Sequence, residues 1–362
     1  LENATTGTFA QAEIGTDLAV TSAMTLGGPD AGNYALSQPT LDADITAKVL
    51  SVTNAVAQDK VYDGSADASI SGATLDGVVG GDIVTLGDAL NGTFAQADIG
   101  VAITVTSAMT LGGTDAGNYT LSQPSLTADI TAKELTVSGV AAEDKVYDGT
   151  AVATVTGATL VGVVGSETVT LGNAGSGIFA QVEVGTNITV TSVMIITGLD
   201  AGNYTLAQPT LAADITAVGL TVSNAEAQDR AYDGTTAATI TGGTLAGVIG
   251  DDVVTLNNAV TGTFAQAEIG TNITVISAMT LAGLDAGNYA LSQPTLAADI
   301  TGKVLSITNA VAQDKVYDGT TDGSISGATL AGVVGGDDVT LGDAVSGTFA
   351  QAETGTNITV TS

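Results

Sequence analysis

The chain has 362 residues, 38 acids against seven bases for a formal net charge of -31, and neither cysteine nor histidine. That removes disulfides, thiol chemistry and the imidazole base or metal ligand, which argues against an enzyme. Such an acidic chain has no basic patch to offer nucleic acid or an anionic membrane, and no apolar run reaches membrane-spanning length.

Three markers return every 85 residues. Phe9, Phe94, Phe179, Phe264 and Phe349 each precede Ala-Gln. Tyr34, Tyr119, Tyr204 and Tyr289 each close Asp-Ala-Gly-Asn-Tyr. Tyr62, Tyr147, Tyr232 and Tyr317 each precede Asp-Gly. Together they account for all eight tyrosines and all five phenylalanines, so every aromatic belongs to the repeat. The organisation that follows is residues 1–47 as the C-terminal part of one repeat, complete repeats at 48–132, 133–217 and 218–302, and residues 303–362 as the N-terminal part of another. With aromatics at only 4% of the chain, each core must be built mainly from Val, Ile, Leu and Ala.

In the copy 48–132, Leu50-Ser51-Val52-Thr53 alternates apolar and polar residues, the period of a half-buried strand. The Tyr62-Asp63-Gly64 turn follows, then strands at Ala68–Ser71 and Ile83–Leu86. Asn91-Gly92 is expected to turn the chain into a strand at Thr93–Gln96. Ile103-Thr104-Val105-Thr106 puts Ile and Val on one face and both threonines on the other. Asp115–Asn118 is a turn, where Asp and Asn can bond their own backbone. Tyr119–Ser122 and Leu126–Ile130 complete about seven strands, with Gln123-Pro124 interrupting the ladder between them. Short strands separated by turns predict an all-β protein, a tandem array of immunoglobulin-like antiparallel β-sandwich repeats forming an extended rod. Ile130–Leu135 passes from one copy to the next without a linker. Six bases, Lys48, Lys60, Lys133, Lys145, Lys303 and Lys315, lie near such junctions and are expected to form charge pairs across or near them; Arg230 takes the seventh place.

In order along the copy stand Lys-Val-Tyr-Asp-Gly, Gly-Ala-Thr-Leu, Gly-Val-Val-Gly, Val-Thr-Leu, Thr-Phe-Ala, Asp-Ala-Gly-Asn-Tyr and Ala-Asp-Ile-Thr. This series resembles the YDG repeat family, whose repeats occur in large bacterial surface and secreted proteins, including filamentous-haemagglutinin-like adhesins. The resemblance covers essentially the whole chain and implies an extracellular, repetitive, structural role. No catalytic site carries over from it. Arg230 and Ala231 depart from the Lys-Val of the other copies, which counts against a lysine–asparagine cross-link in every copy.

No catalytic, cofactor-binding or metal-ligating residue is assigned, and no cofactor is expected. Calcium is the one candidate ligand, because acids recur at the phases of Asp59, Asp63, Asp82, Asp98, Asp115 and Asp129, and Asp59 and Asp63 flank the Tyr62 turn. Turn-forming aspartates with solvated carboxylates are the simpler reading. Outward threonines such as Thr104 and Thr106 are ordinary strand residues. Asn-x-Thr sequons stand at Asn3, Asn91, Asn118, Asn187, Asn203, Asn272 and Asn357.

The expected function is the structural repeat region of a bacterial extracellular filament or giant adhesin stalk, active in cell adhesion and biofilm. Its expected partners are neighbouring copies of the same protein, with no nucleic acid and no membrane insertion. The alternative is a module whose individual copies bind carbohydrate or a surface. Leu1 has the phase of Leu86 and Ser362 that of Ser107, so both ends fall inside a repeat. Leu1–Ser22 and Leu341–Ser362 share one phase, which favours a window on a longer polypeptide over chains that complete one another head to tail.

Overall fold

A computed structural model describes residues 1–362. The protein is all-β: short strands joined by turns, with single 3-10 turns at each Ala-Gly-Asn and no α-helix, hence no helix long and apolar enough to cross a membrane. The chain divides into two compact units. One comprises residues 1–142, 154–178 and 191–211; the other comprises residues 143–153, 179–190 and 212–362.

In the first unit, the copy 48–132 has eleven strands, numbered here within the copy. They are β1 (Lys48–Thr53), β2 (Val56–Ala57), β3 (Lys60–Val61), β4 (Asp67–Ser71), β5 (Thr74–Asp76), β6 (Thr85–Gly87), β7 (Asn91–Phe94), β8 (Gly100–Ser107), β9 (Thr110–Gly112), β10 (Tyr119–Ser122) and β11 (Leu126–Thr131). They form a six-stranded sheet in the order β2-β4-β7-β8-β11-β3, a three-stranded sheet β10-β1-β5 and a ribbon β9-β6. Alternation sets the facing as the sequence predicts. Ile103 and Val105 of β8 are buried while Thr104 and Thr106 are exposed, and Val105 lies opposite Phe94 of β7. Apolar faces meet in a core around Phe94, Ile70, Val105, Met109 and Ile130.

Two pairings are parallel: β1 with β10, Leu50 opposite Leu121, and β3 with β11, Lys60 opposite Ile130. These join the first strands of the copy to its last ones. The antiparallel pattern expected from sequence therefore holds for the hairpins and is supplemented where the copy closes. Strands β2, β3, β5 and β9 are two or three residues long, too short for alternation to mark them. Ile83 and Val84 fall outside a strand, because Asp115 takes the Ile83 N–H through its carboxylate at 2.7 Å and the Ile83 carbonyl through its own N–H at 3.3 Å. The turn expected at Asn91-Gly92 lies instead at Asp88–Leu90, with Asp88 at φ 54°, and Asn91-Gly92 belong to β7. Beyond Phe94 the ladder ends, and the Gln96 amide bonds the carbonyls of Asp98 and Ile99 at 3.2 and 3.1 Å.

In the second unit, the copy 218–302 repeats this arrangement. Val218–Ser223 runs parallel to Tyr289–Ser292, Arg230–Ala231 runs parallel to Leu296–Thr301, and the core gathers Ile240, Phe264, Val275, Met279 and Ile300.

Candidate functional site, the junction between copies

Strand pairing closes within a copy, but burial does not. The core around Phe94 also contains Leu135 and Tyr204 from the following copy, with Leu160, Val163 and Val164 packed against it. The repeated motifs converge there.

In the Tyr-Asp-Gly turn, Lys60 folds back so that its Nζ bonds Asp63 Oδ1 at 2.8 Å and the Ser65 carbonyl at 2.7 Å, 5.7 Å from the centre of the Phe94 ring. Asp63 also accepts from the Ser65 N–H and hydroxyl, both at 2.9 Å. The Lys60 amine and the Ser65 amide lower its pKa from 3.8 to about 2. The same local ion pair recurs as Lys145–Asp148, Arg230–Asp233 and Lys315–Asp318. Lys60, Lys145, Arg230 and Lys315 thus form pairs near the junction, as expected, but each is local to its own turn, because the turn aims Asp63 back at the stem of β3; Lys48, Lys133 and Lys303 make no ion pair. Arg230 takes the lysine's place over Phe264, at the cost of a buried Nε without a hydrogen-bond partner.

The turn fixes Tyr62, whose N–H bonds the Thr131 carbonyl at 2.8 Å. Its ring meets that of Tyr204 edge-on, with centroids 5.4 Å apart. Its hydroxyl donates to Glu167 Oε1 at 2.6 Å, while Tyr204 donates to Oε2 of the same carboxylate at 2.5 Å and accepts the Val164 N–H at 3.0 Å. One carboxylate is thus clamped by the two tyrosine motifs of consecutive copies. Bonds to a charged acceptor and an edge-on ring pair are among the stronger non-covalent contacts. The bond to Glu167, reinforced by burial, raises the Tyr62 pKa well above the ordinary tyrosine range.

Gly64 completes the motif. It sits at φ +79°, where L residues are strained, and a Cβ there would lie 3.0 Å from Val164 Cγ1 of the next copy. A second latch lies nearby: Asn203, 7% exposed, accepts the Ile99 N–H at 3.1 Å and donates to Asp98 Oδ1 at 2.9 Å. Asn118 takes the Ile14 N–H in the same way at 3.0 Å.

The second unit contains the same junction. Tyr147 and Tyr289 donate to Asp252 Oδ2 at 2.9 and 2.5 Å, with ring centroids 5.7 Å apart. Asn288 accepts the Val184 N–H at 3.0 Å. Burial, then the bond to Asp252, raises the Tyr147 pKa to about 12.

All six recurring acids have protein partners. Asp59 accepts the Asp129 N–H at 2.7 Å, Asp129 that of Ala102 at 2.8 Å, Asp115 that of Ile83, and Asp82 the Tyr119 hydroxyl at 2.5 Å. Asp63 and Asp98 serve the turn and the Asn203 latch. The structure brings no group of three acids together in a position to hold a metal ion. Among the sequons, Asn118 and Asn203 are occupied in latches. Sequence reasoning read the acids at the phase of Asp82 as calcium candidates and Asn118 and Asn203 as sequons, and missed that Glu167, Asp252 and these asparagines latch consecutive copies.

These features define a class, an all-β tandem-repeat protein whose copies share their cores and are latched by their own motifs. The profile of the YDG domain matches residues 1–41, 46–127, 131–211, 216–296 and 301–362, and the chain belongs to that family. No match was found among curated proteins. Among solved structures, the crystal structure of Drosophila N-cadherin EC1-4 aligns at 8% identity over 79% of this chain and 82% of that one, with a TM-score of 0.24.

Proposed function

We propose that this chain is a structural shaft of a bacterial extracellular filament or giant surface adhesin, projecting from cells or linking them to surfaces. The observation that carries the reading is the junction, where Tyr62 and Tyr204 clamp Glu167 and consecutive copies share one core. A string of flexibly linked binding modules has no need of copies interlocked in this way. In this reading the protein has no catalytic role, acts outside the cell, and has further copies of itself as its main partners. It needs no cofactor, since protein groups make the junction; a melt unchanged by a calcium chelator is the expected result.

Immunoelectron microscopy of cells and of their shed material tests the proposal. Label in rows along surface extensions or isolated fibres is expected. Label confined to the cell interior overturns it, and label only at contact points with a surface favours the adhesive-module alternative.

A further inference from the structure

We infer that each copy is a shear clamp, built to carry tension along the chain. The inference gives the shaft reading its mechanical content and rests on that reading for its biological use.

The argument comes from which strands are parallel. Tension along the chain enters the copy 48–132 at the N-terminal end of β1 and leaves at the C-terminal end of β11. β1 lies parallel to β10, four residues in register from Lys48 opposite Tyr119 to Ser51 opposite Ser122. β10 connects onward to β11, so the pull on β1 and the pull transmitted to β10 run in opposite directions along one ladder. β3, tied to the entry side through β2, lies parallel to β11 in the same sense. In parallel strands pulled from opposite ends, the rungs lie across the force and must fail together. In a hairpin pulled at its open end, they fail one at a time.

The short β3–β11 ladder is braced beyond its two register pairs. Tyr62 N–H reaches the Thr131 carbonyl at 2.8 Å, the Thr131 hydroxyl reaches the Lys60 carbonyl at 3.2 Å, and the Asp129 N–H reaches Asp59 Oδ1 at 2.7 Å. These contacts return as Tyr232 to Thr301 at 2.8 Å, Thr301 to Arg230 at 3.3 Å and Asp299 to Asp229 at 2.7 Å. The recurring acid of the Gln-Asp-Lys sequence thus acts as a brace on the force-bearing ladder. The Lys-to-Arg and Val-to-Ala changes at Arg230 and Ala231 leave it intact, because its bonds use backbone groups, that acid and the hydroxyl of Thr131 or Thr301.

Single-molecule force spectroscopy on the full chain tests this, and the lack of native cysteine makes engineered attachment points unique. In one geometry the chain is held by its termini. In the other it is held through Leu90→Cys and Ala108→Cys, which flank the open end of the β7–β8 hairpin at Gly92 opposite Ser107. Terminal pulling is expected to give rupture forces well above those of the hairpin geometry, each event releasing at most about 300 Å of extended chain for 85 residues. Asp59→Ala is expected to move one event in the terminal series to lower force and leave the hairpin geometry unchanged. Equal forces in the two geometries, or a terminal series indifferent to Asp59→Ala, overturn the clamp. Strong terminal events from a protein that microscopy places inside the cell would overturn the shaft reading and leave the clamp standing.

Discussion

Tyr62 and Tyr317 sit in the same Lys-Val-Tyr-Asp-Gly sequence, yet Tyr62 is 5% exposed and Tyr317 is 59% exposed. Tyr62 has Glu167 and Tyr204 of the following copy against it, whereas the counterparts of those two residues for Tyr317 would fall past residue 362. Tyr232 falls between the two. Its hydroxyl reaches Asp337 at 3.2 Å, but no second tyrosine holds that acid, and Tyr232 is only half-buried. Tyr119 at 7% against Tyr34 at 73% exposure is a different contrast, because Tyr119 is held by Asp82 and the Val79 N–H of its own copy, whose counterparts for Tyr34 would precede residue 1. The Tyr-Asp-Gly motif therefore encodes half of a contact, and the neighbouring copy supplies the other half. Stability in such an array is a sum of copy and nearest-neighbour terms, and the burial of the Tyr-Asp-Gly tyrosine belongs to the neighbour term.

The largest test of that contrast is truncation of the phenylalanine. Phe94 is 2% exposed, whereas Phe349, its counterpart in residues 303–362, is half-buried beside an open cleft that Tyr317 also lines. Phe94→Ala is expected to cost about 3–5 kcal/mol, and Phe349→Ala clearly less. An array of coupled copies need not melt in one step, so hydrogen exchange at named amides is the suitable measurement. Equal losses of protection at the two positions would show that burial of this ring does not depend on the residues that follow Ser107 in the copy or on the next copy.

A smaller effect isolates the hydroxyls. Tyr62→Phe keeps the ring contact and removes one of the two donors to Glu167, an expected loss of about 1–3 kcal/mol for a bond to a charged group. Tyr317→Phe should change protection hardly at all. A cost at Tyr317 matching that at Tyr62 would break the comparison.

Much of the copy was legible because burial leaves a period in the sequence. Ile103 and Val105 against Thr104 and Thr106 gave the facing of β8. The junction left no such trace. Tyr62 has Asp82 in its own copy and Glu167 one period further on, and a repeat looks identical whichever of them it uses. The parallel closures escaped for another reason. β3 is two residues long, and its pairing with β11 spans 70 residues. The lysines were placed near the junction correctly, but not their partners, although the spacing of Lys60 and Asp63 already permitted a local pair.

Titration separates the junction from the turn. Tyr147 has a folded pKa of about 12 against 10.0 ordinarily, so the folded state holds the proton longer. Its contribution is fully present below pH 10 and is lost as pH rises through about 12. Asp63 has the opposite sign. Its pKa falls from 3.8 to about 2, so its contribution is full above pH 3.8 and fades as pH drops towards 2. Hydrogen exchange after brief pH jumps should show the Tyr147 amide losing protection in the alkaline window, and the Ser65 amide, which Asp63 accepts, losing it in the acid one. Alkaline loss that persists unchanged in Tyr147→Phe would assign the titration elsewhere.

The smallest expected effect inverts the comparison, since at one position an interior copy carries a poorer residue than the terminal pieces. The bulge in β8 holds Ala102 at φ 51°, a left-handed conformation that is unfavourable for alanine. The equivalent residues are Asp17 at φ 52°, Asn187 at φ 53°, Asn272 at φ 52° and Asn357 at φ 57°, types that tolerate it by bonding locally. The bulge does not relax around Ala102, because its N–H is held by Asp129 Oδ1 at 2.8 Å, just as Asp214 and Asp299 hold Asn187 and Asn272 at 2.7 Å. The side chain at 102 is exposed, so asparagine meets no steric barrier there. Ala102→Asn is therefore expected to stabilise the copy 48–132 by up to about 1 kcal/mol, the lower end of the left-handed penalty. Slower exchange at the Val105 and Phe94 amides would register the gain, and Asn187→Ala should produce a loss of similar size in the following copy. If both substitutions are neutral, the bulge is not where the copies differ in stability, and the fixed asparagine phase has some cause other than backbone strain.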